Sequence, residues 1–178
     1  AFGSGSLLRN TTGSYNLAVG NLALFYNTGN SRSTAIGYQA MLYADSRTSG
    51  RETYNTAVGY QTLMGVTSSA DSGRYNTAVG DQALHNNSSG EHNLGIGVSS
   101  LQENVNGKNN LAVGNYSLNN NQTGSNNIAI GYESLFSNIL SGSNIAIGES
   151  ALKEHVRNSG NIAIGRLALN QDSSGISN

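Results

Sequence analysis

Apolar and small residues alternate in a five-residue pattern that recurs along the whole chain: Asn, any residue, Ala, Val or Ile, Gly. It reads NLAVG from Asn16, STAIG from Ser33, NTAVG from Asn55 and Asn76, and NLGIG from Asn93. It continues as NLAVG from Asn110 and NIAIG from Asn127, Asn144 and Asn161. Ala1-Phe2-Gly3 has the form of a motif tail, and Asn178 stands where another copy would begin, so the expectation is a window on a longer array. Two positions of each motif are bulky or β-branched, as in Leu17/Val19, Thr34/Ile36, Leu94/Ile96 and Ile145/Ile147. Period-two alternation predicts a short strand with that pair on one face and Asn and Ala on the other. Asn, Gly and β-branched residues recur too densely for a helix.

The motif glycines Gly3, Gly20 and Gly37 are 17 residues apart; the step lengthens to 22 at Gly59 and 21 at Gly80, then returns to 17 through Gly97, Gly114, Gly131, Gly148 and Gly165. Four residues after each stands Leu, with Met41 the one substitute, and the residue before that Leu is always small. A polar stretch with a second Gly follows, and the two glycine series account for all but three of the 23 glycines. Fixed-period self-similarity implies stacked units that each contact their neighbours. The predicted fold is an all-β parallel solenoid or β-roll of about ten coils over residues 1–178, with a corner at each motif Gly. A second short strand is expected to carry the small residue and the Leu, and the polar stretch to turn back. The aliphatic pairs and Leu residues should form ladders, and Asn16, Asn55, Asn76, Asn93, Asn110, Asn127, Asn144 and Asn161 an amide ladder at a corner. Each coil then has a thin core, built of the aliphatic pair and the Leu. The small residues opposite the bulky pair, Ala18 to Ala163, either admit a second chain closely or fill a tight place inside the coil. A homo-oligomeric fibre, with coils of several chains around one axis, relieves the shortage of buried surface.

Composition narrows the function classes. There is no Cys, hence no disulfide framework or thiolate metal site, and no Pro, which suits unbroken ladders. No long apolar run spans a membrane. Net charge is −1, with 11% of residues charged and no basic stripe, so nucleic-acid binding has no electrostatic support. The polar, weakly charged surface suggests an extracellular or particle-borne protein.

The strings NTAVGYQTL at 55–63 and NTAVGDQAL at 76–84 resemble the repeats of tail-fibre-domain proteins of phages and bacteria. More broadly, the NxAIG pattern resembles the head repeat of trimeric autotransporter adhesins. The resemblance covers essentially the whole chain. It implies a left-handed parallel β-roll, three chains around one axis and binding of host-surface molecules. The adhesin-head repeat is shorter than 17 residues, and no anchor, stalk or chaperone domain is present to choose between cell surface and particle.

Chemistry is sparse. His85, His92 and His155 lie in variable stretches without metal-ligand spacing, and carboxylates are scattered singly. No calcium-roll, GxSxG or P-loop motif occurs, so no catalytic residue, metal or cofactor is assigned. The irregular feature is the pair of long coils, with insertions over 43–54 and 64–75. They carry Asp45, Arg47, Arg51, Glu52, Asp71 and Arg74, with Tyr43, Tyr54 and Tyr75 beside them. Solenoid insertions map to one face, often the binding face, and Arg and Tyr are common interface anchors. One reading makes these loops a receptor or glycan contact; the other makes them decoration with a local ion pair. Tyr38 and Tyr60 follow a motif Gly on adjacent coils, where they form a short aromatic strip suited to sugars or simply stabilise neighbouring strands. The leading function is therefore a structural and adhesive fibre segment. The rival is an ice-binding solenoid, since Thr34, Thr56 and Thr77 align at one position, although Leu or Ile holds it in the other six motifs.

Overall fold

The structure is a computed structural model that describes residues 1–43, 50–66, 73–154 and 158–171. Each motif forms one three-residue strand: β1 Leu17–Val19, β2 Thr34–Ile36, β3 Thr56–Val58, β4 Thr77–Val79, β5 Leu94–Ile96, β6 Leu111–Val113, β7 Ile128–Ile130, β8 Ile145–Ile147 and β9 Ile162–Ile164. The nine strands stack in chain order as one parallel sheet. Every motif position lies over its counterpart, from Leu17 on Thr34 to Ile147 on Ile164. A parallel pair needs a long crossover, and the remainder of each coil supplies it. Hence each repeat is one turn of a β-solenoid, and the sheet runs roughly 40 Å along the axis at ~4.8 Å per strand. Phe2 extends the stack by a parallel bridge to Val19.

The faces of the strands are reversed relative to the expected core. Ala18, Ala35, Ala57, Ala78, Ala112, Ala129 and Ala146 are fully buried, whereas the bulky pairs look outward; Leu17 is 46% exposed and Ile164 68%. The cause lies across the coil. Leu24, Leu63, Leu84, Leu101, Leu118, Leu135 and Leu152, with Met41, are fully buried and project from the opposite wall. At Gly95, the one strand centre without a methyl, an added Cβ would stand 3.6 Å from Leu84 Cδ1 and 3.0 Å from Ser100 Oγ. The lumen therefore holds one wide side chain per coil, and the facing strand must present Ala. Of the two readings of the small residues, filling a tight place inside the coil is the one found.

The second strand expected around the Leu is not formed either. Leu7, Leu24, Leu63, Leu84, Leu101, Leu118, Leu135, Leu152 and Leu169 have φ between 48° and 53°. From Leu7 to Leu152 their N–H groups still bond from coil to coil, as from Leu118 to the Ser134 carbonyl at 2.9 Å. The residue before the motif and the second residue after the corner Gly are also left-handed, for example Tyr75 (φ 58°) and Gln82 (φ 57°). A β-branched side chain is a steric outlier at positive φ. No Val, Ile or Thr occupies any of these three series. Backbone geometry thus explains why the core uses Leu or Met while the strands use Ile and Val.

Candidate interaction surfaces

Two features fix the outer face of the solenoid. The first is the corner. Gly20, Gly37, Gly59, Gly80, Gly97, Gly114, Gly131, Gly148 and Gly165 all have φ between 123° and 139°. The second is the expected amide ladder. The N–H of Asn76 donates to Asn55 Oδ1 at 2.9 Å, and the pattern repeats from Asn93 to Asn161 at 3.0 Å per step. The side-chain amides of Asn76, Asn93 and Asn110 donate at 2.8 Å to the carbonyls of Gly90, Gly107 and Gly124. Asn16 starts the same pattern by accepting from the Ser33 N–H, and where Ser33 replaces Asn its hydroxyl meets Thr53 Oγ1 instead.

A second buried Asn column runs inside the polar wall, and the sequence reading missed it. Asn27 donates to Asn10, Asn104 to Asn87, Asn121 to Asn104 and Asn138 to Asn121, at 2.8 to 3.0 Å. Its signal was available: Asn stands three residues after the core Leu in six coils. The column skips the two long coils, where Ala44 and Val66 take that place. Both ladders hold the turns so that the strand face repeats without slip.

That face carries two columns of outward side chains. Fifteen of the 18 are Leu, Ile or Val, and the other three are Thr34, Thr56 and Thr77. Aromatic and charged columns stand beside it. Tyr38 and Tyr60 stack at 5.4 Å with an 8° interplanar angle, as the strip reading expected. Tyr54, Tyr75 and His92 form a second stack, with centroids 5.3 Å and 4.7 Å apart. The Arg32 guanidinium extends it, lying over both Tyr15 and Tyr54. Such stacking covers the ring faces.

Among the described residues, those of the loops do not gather into one cluster. Asp45, Arg47 and Asp71 lie outside the described residues, as does His155. Tyr43 stacks on Tyr26, capped by Arg9, in a separate column. Arg51 donates across coils to the Gly73 carbonyl at 3.2 Å. Arg32 Nε donates to Glu52 at 2.7 Å, and the Tyr54 hydroxyl donates to the same carboxylate. These bonds, from Tyr54 first and Arg32 second, hold the Glu52 carboxyl below its ordinary range, and Glu52 raises the Tyr54 phenol.

One residue with no assigned role ties three coils. Glu91 accepts from Arg74 at 3.0 Å and from Lys108 at 3.2 Å. Burial pushes its carboxyl up, but the hydrogen bonds of Arg74 and Lys108 outweigh that and hold it below its ordinary value. A depressed folded-state value means that the stabilisation is present above the unfolded value and is lost as pH falls through the folded one. Wild-type chain should therefore lose more thermal stability than Glu91→Gln on acidification below about pH 4. The difference should be about 1 kcal/mol or less, because both cations are half exposed. Parallel acid melts of the two chains check it.

Comparison of the chain with protein-family models, with curated proteins and with solved structures returned no match.

Proposed function

We propose that this solenoid is a structural and adhesive segment of an extracellular homotrimeric fibre, of a cell-surface adhesin or of a phage or injection-system tail, with its long coils presenting receptor or glycan contacts. One observation carries the reading: the outward face of β1–β9 is almost wholly aliphatic and held in register along its length. A strip roughly 40 Å long and about 10 Å wide is of the size of the largest apolar patch on a typical monomer, and patches of that size are often functional. A second copy of the same face fits it best, since both are uncharged and share one repeat. The resemblance to trimeric adhesin heads supports three chains rather than two.

Light scattering at micromolar concentration should give the mass of three chains, and the mass of one chain would overturn the assembly. Trimming the insertions over 43–54 and 64–75 to 17-residue coils should preserve that mass and abolish binding to a cell or glycan target. Undiminished binding would remove the loops from the account. Ice binding draws support from the outward-facing Thr34, Thr56 and Thr77, but the aliphatic residues around them interrupt any hydroxyl array. Measurable thermal hysteresis would favour it over the fibre.

A further inference from the structure

The polar turns contain one chemical exception. The residue before the turn Gly is Ser or Thr in every coil but one, as at Thr12, Thr28, Ser89, Thr123 and Ser141. The exception is Asn106, which makes Asn106–Gly107 the single Asn–Gly pair in a chain of 26 asparagines. We propose that Asn106–Gly107 is a site of spontaneous covalent modification, at which amide loss forms isoaspartate and cuts both asparagine ladders near the middle of the array.

The chemistry needs three things, and this turn supplies them. The main-chain nitrogen after the Asn must reach its side-chain Cγ, and Gly offers no Cβ to obstruct that approach. That nitrogen must not be held elsewhere, and the Gly107 N–H makes no hydrogen bond among the described residues. The amide carbonyl must be polarised, and Asn106 Oδ1 accepts from Ser89 Oγ at 2.7 Å. Asn106 itself is exposed. In the first step the Gly107 nitrogen gives up its proton and bonds to Cγ. The Cγ–Nδ2 bond breaks, the nitrogen leaves as ammonia and a succinimide ring remains. Water then opens either ring C–N bond, giving aspartate or, with the main chain rerouted through the side-chain carbon, isoaspartate. No oxidant or cofactor is required.

The neighbours decide the consequence. The Gly107 carbonyl accepts from Asn93 Nδ2 at 2.8 Å and from Asn104 Nδ2 at 3.2 Å, so it is the joint between the motif ladder and the inner Asn column. A Cβ added at Gly107 would stand 2.6 Å from Asn121 Nδ2 and 2.4 Å from the Gly124 carbonyl oxygen, so the main chain that isoaspartate would lengthen is packed tightly against the next coil. The ladder residues are protected by contrast: Asn104 and Asn121 are buried, hydrogen-bonded and followed by Val105 and Gln122.

The test is to age the folded full chain at mildly alkaline pH. Peptide mapping by mass spectrometry then follows each Asn, with isoaspartyl methyltransferase labelling as a second readout and a urea-unfolded sample alongside. The expected result is an amide-to-acid mass gain and a methyl label at Asn106 before any other Asn, with a lower melting temperature in the modified fraction. Asn106→Ser, which installs the residue of the neighbouring coils, should fold normally and lose the label. If Asn106 stays intact in the folded chain while the unfolded chain is modified there, or if another Asn leads, the proposal is overturned.

Discussion

Replacing Gly114 with alanine is expected to lower global stability by about 3–5 kcal/mol, because overpacking and backbone strain add at one atom. Gly114 has φ 133°, which L side chains rarely adopt. Its added Cβ would stand 2.5 Å from the Gly131 carbonyl oxygen and 2.7 Å from its carbon. Both belong to the backbone of the next coil, so nothing can swing aside. Gly165 provides the internal control. Its φ is 125°, but an added Cβ meets nothing within 4 Å among the described residues. Gly165→Ala should therefore cost the strain alone, about 1–3 kcal/mol. Since solenoid stability is close to a sum of coil and interface terms, the Gly114 variant should also melt in two steps as the array divides. Urea titrations followed by circular dichroism compare the two, and equal losses would contradict the close-stacking account.

Exchange of Leu118 for isoleucine should cost about 2–3 kcal/mol, well beyond the ~1.5 kcal/mol that bounds most Leu–Ile swaps in cores. Leu118 is fully buried and sits at φ 50°. Isoleucine has the same volume, so a loss of this size isolates the cost of β-branching in the left-handed region. Leu118→Met should remain near wild type, as Met41 already holds the equivalent place at φ 52°. If the two variants melted together, packing volume rather than backbone hand would govern the core. Denaturant midpoints resolve the difference.

The parallel solenoid was legible from the 17-residue step, which separates each strand from the next except at the two long coils. Corner glycines and the motif Asn ladder were legible for the same reason. What the period could not reveal was which face of a three-residue strand turns inward. Alternation marks two faces equally, and the bulky pair was assigned to the core by apolarity alone. The decisive quantity was the width of the lumen, already filled by the Leu of the opposite wall, which only the three-dimensional arrangement supplies. The missing second strand has a similar origin. Leu at positive φ is uncommon enough that nothing in its identity announces it, although the exclusion of Val and Ile from that series was a usable sign. Among the surface residues, the Tyr38–Tyr60 stack followed from adjacent coils. The Tyr54–Tyr75–His92 stack joins a tyrosine pair to a histidine, and position relative to the motif, rather than residue type, identifies it.

The reversed strand also alters what the small residues mean. They fill the lumen and turn the aliphatic pairs outward; in the proposed fibre it is those pairs that bring chains together. Ile96 and Ile130 stand in the same outward column, on β5 and β7, and neither belongs to the lumen. Lysine at both positions is solvated in a lone solenoid and unpaired in an assembled one, where burying such a charge is costly. The most direct test is the solution mass of wild type and of the Ile96→Lys, Ile130→Lys double variant, measured by light scattering with circular dichroism as a check on folding. The account predicts three chains for wild type and one for the variant, with the same β-sheet spectrum. A wild type of single-chain mass, or a folded variant that keeps the multichain mass, would contradict it.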